Sequence, residues 1–399
     1  MGRLDIGIAG AGVAGLALAA FLARAGHRVV VFDKLATPAP LGSGLILQPV
    51  GRHVLAGLGL AERMQALGAL IGRLFGKAAP RDRVVLDVRY PGAEQARMGL
   101  GVHRGALFNL LLEAAQTAGA AFEAQSEVVA SDGDRFVFAN GRRSSAFHVL
   151  VDALGVRSPL AESPRRALPY GALWASLDWP AGAGFDERAL EQRYVAARKM
   201  VGVMPIGRLK PGDGPQAAFF WSLKGEDFAT WREAPLEAWK AEVSALWPQT
   251  GPLLDQIETH EDLIFARYAH GTETRPVRGR LVAVGDSRHC TSPQLGQGAN
   301  LALLDAWALS EALNRQANLE VALQEYARMR ALHIWIYQTT SHLFTPFYQS
   351  DDEGLAAIRD HIVAPLSRLW PGPALLAGLV AGAWGAPVGA IAGGRQRAL

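Results

Sequence analysis

Two short strings carry the chemistry of this sequence. The first is GAGVAG at residues 10–15, with Asp33 placed 23 residues after Gly10. It follows an apolar segment, LDIGIA, and opens a run rich in Ala and Leu, the setting that makes a G-x-G-x-x-G match informative. Gly10 permits a tight turn, Gly12 lets backbone approach a pyrophosphate, and Gly15 lets helix and strand pack closely. Val13 and Ala14 complete the loop at the start of the helix, whose free N–H groups and partial positive charge suit phosphate. Asp33, with Lys34 beside it, closes the next strand and can accept hydrogen bonds from ribose hydroxyls. A carboxylate there repels a 2′-phosphate, so the motif points to FAD or NAD rather than NADP.

The second string is GDSRHCTSPQLGQGAN at 285–300. It follows the buried-strand sequence LVAVG and precedes a helix. Asp286 then projects from a strand end into the crevice where open parallel sheets hold ligands. Gly296, Gln297 and Gly298, with Ala299 behind them, can offer consecutive N–H groups to an oxyanion or an electron-rich ring edge. Pro293 stiffens the loop between Asp286 and this turn.

A third stretch, VDALGVRSPL at 151–160, ends an apolar run in Asp152 and continues into Gly155, Arg157 and Ser158. Leu154 separates the polar groups.

The elements that position these strings are legible. A strand at 4–9, a helix at 13–25 and a strand at 28–33 form a βαβ unit, the building block of a parallel sheet. A helix spans 105–118 and ends at Gly119. AsnGly at 140–141 signals a hairpin, and 147–151 reads as a strand buried on both faces. From 168 to 265 the texture changes to Trp, Pro and short strands such as 199–206 and 216–223, predicting an antiparallel sheet. Helices follow at 298–314 and about 320–345. The fold class is therefore α/β: a Rossmann-like domain with a parallel sheet, suited to FAD or NAD, an inserted antiparallel β-sheet domain, and a helical C-terminal tail. The expected divisions are 1–72, 98–165 and 266–340 for the first, 73–97 and 166–265 for the second, and 341–399 for the tail.

Bulk composition agrees. The chain has 399 residues, 50% hydrophobic and 19% charged, enough for a large core. A net charge of +3 and the lack of any long run of like charges argue against nucleic acid. A single cysteine, Cys290, excludes an internal disulfide and a Cys-based metal site, and no metal is expected. The N-terminus enters a strand at once, without the form of a signal peptide, so a cytoplasmic location is expected. Residues 374–394 carry no charge over near-spanning length, but Gly and Ala dominate and Pro387 interrupts them. A buried tail or one touching a membrane surface is expected rather than a span.

The chain resembles the single-component FAD-dependent aromatic hydroxylases, the family of para-hydroxybenzoate hydroxylase and the ubiquinone-pathway hydroxylases. Gly285, Asp286, His289, Pro293, Gly296, Gly298 and Asn300 match its second fingerprint. The resemblance implies FAD as cofactor, NADH or NADPH as reductant, O2, and hydroxylation of an aromatic or quinone-like ring through a flavin hydroperoxide. It implies that Asp286 binds the ribityl chain, that 293–300 line the isoalloxazine, and that Arg104 approaches the ribityl–phosphate region. Pro293 and His289 are the candidate catalytic residues. For His289 a proton-transfer role competes with one of ordering the loop. In the middle motif Leu154 stands where the family has Asp, and Ala161 where it commonly has Arg. Tyr194, Met204, Pro205, Phe220 and Trp221 are candidates to line the substrate. Gln48 and Arg52 are possible polar contacts beside the flavin. A homodimer is a further expectation. Two other readings stay open: a dehydrogenase or reductase on the same scaffold, and a flavin-binding protein without turnover.

Overall fold

The computed structural model describes residues 2–37, 42–92 and 94–387; the last part of the tail considered above, 388–399, lies outside them. The first sheet has six strands in the order Val277–Arg278, Leu281–Ala283, Val149–Asp152, Asp5–Ala9, Arg28–Phe32, Ala121–Glu123. All neighbours run parallel except the edge pair formed by Val277–Arg278. Ile6, Ile8, Val149 and Val151 have no solvent exposure, because helices cover the sheet. The helix Val13–Arg24 buries its Ala and Leu residues against this sheet and against the helices Arg104–Thr117 and Gly298–Arg315. From Asp5–Ala9 the chain passes first to Arg28–Phe32 on one side and later to Val149–Asp152 on the other. The strand order therefore reverses there, and a crevice opens at the carboxyl ends of these strands.

The second sheet has seven strands: Ile264–Ala266, Tyr170–Asp178, Gln216–Lys224, Lys199–Gly207, Ala189–Val195, Arg73–Ala78 and Arg83–Arg89. It is antiparallel except between Ala189–Val195 and Arg73–Ala78, which pair parallel. The fully antiparallel expectation fails at that seam for a topological reason. Arg73–Ala78 belongs to a hairpin contributed by an earlier stretch of chain, so no tight turn dictates its direction. AsnGly at 140–141 does make a tight return, with Gly141 at φ 81 and Val137 bridging Arg143. The longer hairpin beside it, Val128–Asp132 with Arg135–Phe138, turns at Gly133 instead.

Period-two alternation gives the second sheet two unlike faces. One carries Leu173, Val201, Val203, Phe219 and Trp221 into a core with Trp231, Trp239 and Trp247. The other carries Trp174, Met200, Met204 and Phe220 towards the first sheet. The long helix Leu319–Tyr348 and the shorter Glu353–Ile358 and Gly372–Val380 close the remaining side. Among the described residues no helix is long and apolar enough to cross a membrane.

Candidate active site

A cavity of about 970 Å³ lies between the crevice of the first sheet, the inner face of the second and the C-terminal helices. Gly10, Gly12, Val13, Ala14, Asp33 and Lys34 line one end. The three glycines act differently. Gly10 sits at φ 104, and a Cβ there would meet the Ala153 carbonyl oxygen at 2.5 Å. A Cβ on Gly15 would lie 2.0 Å from the Gly10 oxygen, so Gly15 serves helix–strand packing and does not reach the cavity. A Cβ on Gly12 would meet nothing within 4 Å, because Gly12 faces the open cavity. No side chain caps this helix, so its first N–H groups stay available to a ligand. Asp33 is fixed by accepting from Ala11 N and Leu35 N, both at 2.9 Å.

The second string delivers a matching end. Gly298 begins the helix Gly298–Arg315, again without a side-chain cap, and a Cβ on it would also meet nothing within 4 Å. Two uncapped helix N-termini thus face one cavity. Asp286 is open to the cavity and makes no hydrogen bond with a described residue. Desolvation by the surrounding protein raises its carboxyl, against the pull of His289, Arg104 and Arg165. Pro293, Gly296, Gln297 and Ala299 line the same wall. Nearby, Gln48 Nε2, Gln294 Nε2 and Gln297 Oε1 are buried without a partner among the described residues. Unpaired donors and an acceptor at the wall fit a ring with both along its edge. The unpaired carboxylate of Asp286 fits a hydroxylated chain, and the N-terminus at Gly12 fits a pyrophosphate. These residues therefore fit FAD. Arg104 also lines the cavity, free of any ion pair with a described residue.

Behind the wall lies a buried charged knot that sequence reasoning missed. Asp305 is fully buried and accepts from Gly285 N at 2.8 Å and Arg330 Nε at 2.7 Å, with His289 Nε2 at 2.6 Å. Burial alone would raise the Asp305 carboxyl; His289, Arg330 and Arg288 outweigh it and hold it far below the usual carboxylate range. This corrects the catalytic candidacy of His289. Its ring is fully buried, bonded to Asp305 and outside the cavity wall, so it orders the Gly285–Asp286 turn. Asn300 is likewise structural. Its side chain accepts from Gln48 N and donates to the Ile46 and Gly296 carbonyls, tying strand to loop from outside the cavity. Cys290 is buried and free, as a packing residue.

The middle stretch is explained by Asp152. Its carboxylate accepts from Leu154 N at 3.1 Å and Ser158 Oγ at 2.7 Å, so it folds the loop rather than facing a ligand. Leu154 packs on the apolar cluster of Phe32, Val128 and Phe147 while its other side meets the cavity. Arg157 lines the mouth without an ion pair to a described residue.

At the far end, Tyr194, Met204 and Phe220 line the cavity as expected. Trp221 does not. It is one residue out of phase with Phe220 and points into the Trp239 core on the opposite face. Pro205 is also off the wall, its carbonyl packed against Gly101 where the strand register slips. Arg52 turns away to the Gln95 and Met98 carbonyls, whereas Gln48 stays on the wall and accepts from Tyr90 Oη at 2.5 Å. Trp174, Gln192 and Tyr268 complete the wall, and Trp174 Nε1 donates to Tyr268 Oη at 2.8 Å. Strand alternation applied to these segments would have separated Phe220 from Trp221 and found Trp174 and Gln192, but nothing local marks Tyr268. The C-terminal region caps this end with Tyr348, Ala364, Leu376 and Leu379.

The comparisons with known proteins decide the family. The FAD binding domain family matches residues 3–144 and 254–340. This chain belongs to it. Kynurenine 3-monooxygenase of Xanthomonas campestris pv. campestris is 29% identical over 357 residues, covering 80% of this chain and 74% of that enzyme. The 3-amino-4-hydroxybenzoate 2-monooxygenase of Streptomyces cremeus is 30% identical over 357 residues, covering 82% and 83%. Among solved structures, the tetrameric form of 2-methyl-3-hydroxypyridine-5-carboxylic acid oxygenase superposes with a TM-score of 0.76 at 20% identity, covering 94% of this chain and all of that one. The chain is an FAD-dependent monooxygenase of the aromatic hydroxylase type, drawing on NAD(P)H and O2. The dehydrogenase reading is not supported.

Proposed function

We propose how this chain's residues divide that work. Asp33 holds the adenosine ribose of FAD, the Gly10–Gly15 helix start and Arg104 hold its phosphates, and Asp286 holds its ribityl chain. The loop from Pro293 to Ala299, with the Gly298 helix start, borders its ring. The observation that carries this is the pair of uncapped helix N-termini flanking the unpaired Asp286 in one cavity. Bound FAD supplies the electron transfer to O2. The protein's own part is positioning and exclusion of water. Trp174, Tyr194, Met204 and Phe220 hold an aromatic ring against the loop at 293–299, and Leu376 and Leu379 close over it. Arg157 and the loop from Leu154 to Pro159 receive the nicotinamide cofactor at the mouth.

In domain terms, residues 1–72, 98–165 and 266–340 serve FAD, 73–97 and 166–265 serve substrate, and the described part of the C-terminal region, 341–387, is the cap. The cap's outer face exposes Ile362, Leu366, Leu369 and Trp370, the last 90% exposed, which supports a contact with a second copy or a membrane surface.

The test is substrate-dependent NAD(P)H oxidation by the FAD-loaded protein under ¹⁸O2. One labelled oxygen atom per product molecule is expected. Oxidation that leaves the product unlabelled refutes the hydroxylase reading.

A further inference from the structure

The far end of the cavity has an unusual charge inventory. Two charged residues belong to its wall, and neither is available. The Asp87 carboxylate is held by Arg73 at 2.7 and 2.8 Å. The Arg267 guanidinium lies over the ring of Phe265, 5.2 Å from its centroid, and beside Gly225. Phe265 packs on the tryptophan core, so that charge sits on the opposite side of the sheet. Arg359 is fully buried nearby, but it stands behind the rings of Tyr194 and Tyr348, at 5.0 and 5.3 Å from their centroids. It is bonded to Asp360 at 2.7 Å and to the Phe347 carbonyl at 3.0 Å, and it is not part of the wall. Its Nη2 is buried without a partner but lies behind those rings, so among the described residues no cation on this wall is free to meet an anion.

The polar groups that do face the space are neutral. Tyr194 Oη donates to Gln192 Oε1 at 2.9 Å, and Gln192 Nε2 turns to Met200 Sδ. Tyr268 Oη accepts from Trp174 Nε1, and no described residue accepts the Tyr268 proton. That hydroxyl is therefore a donor waiting for an acceptor. Burial raises it above the ordinary phenol range, so it stays protonated.

We propose that the substrate is an uncharged aromatic or heteroaromatic compound, without a carboxylate, whose hydroxyl or carbonyl oxygen accepts from Tyr268. This rests on the hydroxylase reading for the chemistry but concerns binding alone. A carboxylate in this space would be stripped of water with no compensating cation, which disfavours it strongly. The aromatic wall of Trp174, Tyr194 and Phe220 rewards a flat apolar body instead.

The experiment is equilibrium binding to the FAD-loaded protein, read by perturbation of the flavin absorbance, without reductant. The probes are matched pairs: 3-hydroxybenzamide with 3-hydroxybenzoate, and 2-naphthol with 3-hydroxy-2-naphthoate. The neutral member of each pair is expected to bind at least about 10-fold more tightly. Equal or tighter binding of the carboxylates, or no binding by any probe, overturns the proposal. Tyr268→Phe is expected to weaken 2-naphthol about 5-fold and leave naphthalene unchanged. An equal effect on both overturns the Tyr268 assignment. Neutral binding together with NAD(P)H oxidation that leaves the product unlabelled under ¹⁸O2 would sink the hydroxylase reading and leave this one standing.

Discussion

Gly12→Ala separates the two tasks of the first motif. Gly12 has φ −82 and ψ −174, a conformation that alanine adopts freely, and its added Cβ would meet nothing within 4 Å. The apoprotein should therefore keep its stability to within about 1 kcal/mol, since Gly and Ala differ modestly at such a position. With FAD present the same methyl occupies the space through which backbone and pyrophosphate approach. Backing the ligand away should cost about 1–3 kcal/mol, or about 5- to 150-fold in affinity. Gly15→Ala is the control. Its Cβ would lie 2.0 Å from the Gly10 carbonyl oxygen, backbone against backbone, so the apoprotein itself should lose stability. The assay is thermal unfolding of both apoproteins together with titration by FAD. Gly12→Ala should match wild type without FAD and gain less on adding it, because ligand stabilisation tracks affinity. If Gly12→Ala bound FAD as tightly as wild type, the pyrophosphate would not lie at Gly12 and this account of the motif would be wrong.

Asp305→Asn strips the buried Arg330 of its counter-charge and should destabilise the protein by about 3–5 kcal/mol at pH 7. Because folding holds the Asp305 carboxyl below its unfolded value near 3.9, that stabilisation is complete above about pH 4 and fades as pH falls through the folded value. Wild type and variant should thus converge on acidification in chemical-denaturation curves; a gap that widens at low pH contradicts the assignment. Leu154→Asp should raise the NAD(P)H affinity or the rate of flavin reduction if the loop receives the reductant. Stopped-flow reduction unchanged in both respects means Leu154 is a neutral replacement. Trp221→Leu should cost about 2–4 kcal/mol of stability while leaving KM for substrate unaltered, since it faces the tryptophan core. Trp174→Leu should do the reverse, and steady-state kinetics beside thermal melts will show whether the two faces are so divided.

The sequence by itself determined the elements and the ligand-facing motifs, because those are short-range properties. Gly10, Gly12, Gly15 and Asp33 declare a strand, turn, helix and strand within thirty residues, and the string from Gly285 to Asn300 does the same around Asp286. The strands at 199–206 and 216–223 were legible, but the lining candidates taken from them, Met204 with Pro205 and Phe220 with Trp221, are neighbours that strand alternation puts on opposite faces. Local sequence does not say which face meets the cavity, since both are apolar; Phe220 and Trp221 are equally good core residues, and only the packing of Trp231 and Trp239 chose between them. Asp305, Arg330 and Tyr268 stayed invisible for another reason. Their partners lie 25 residues away in one case, as with Asp305 and Arg330, and 94 in another, as with Tyr268 and Trp174, so no local spacing encodes them. For His289 the motif allows either proton transfer or ordering of the loop, and Asp305 against its buried ring favours the second. The tail is a similar case: its composition shows only that it is apolar, and the fold turns Leu376 and Leu379 towards the cavity while leaving Leu369 and Trp370 outside.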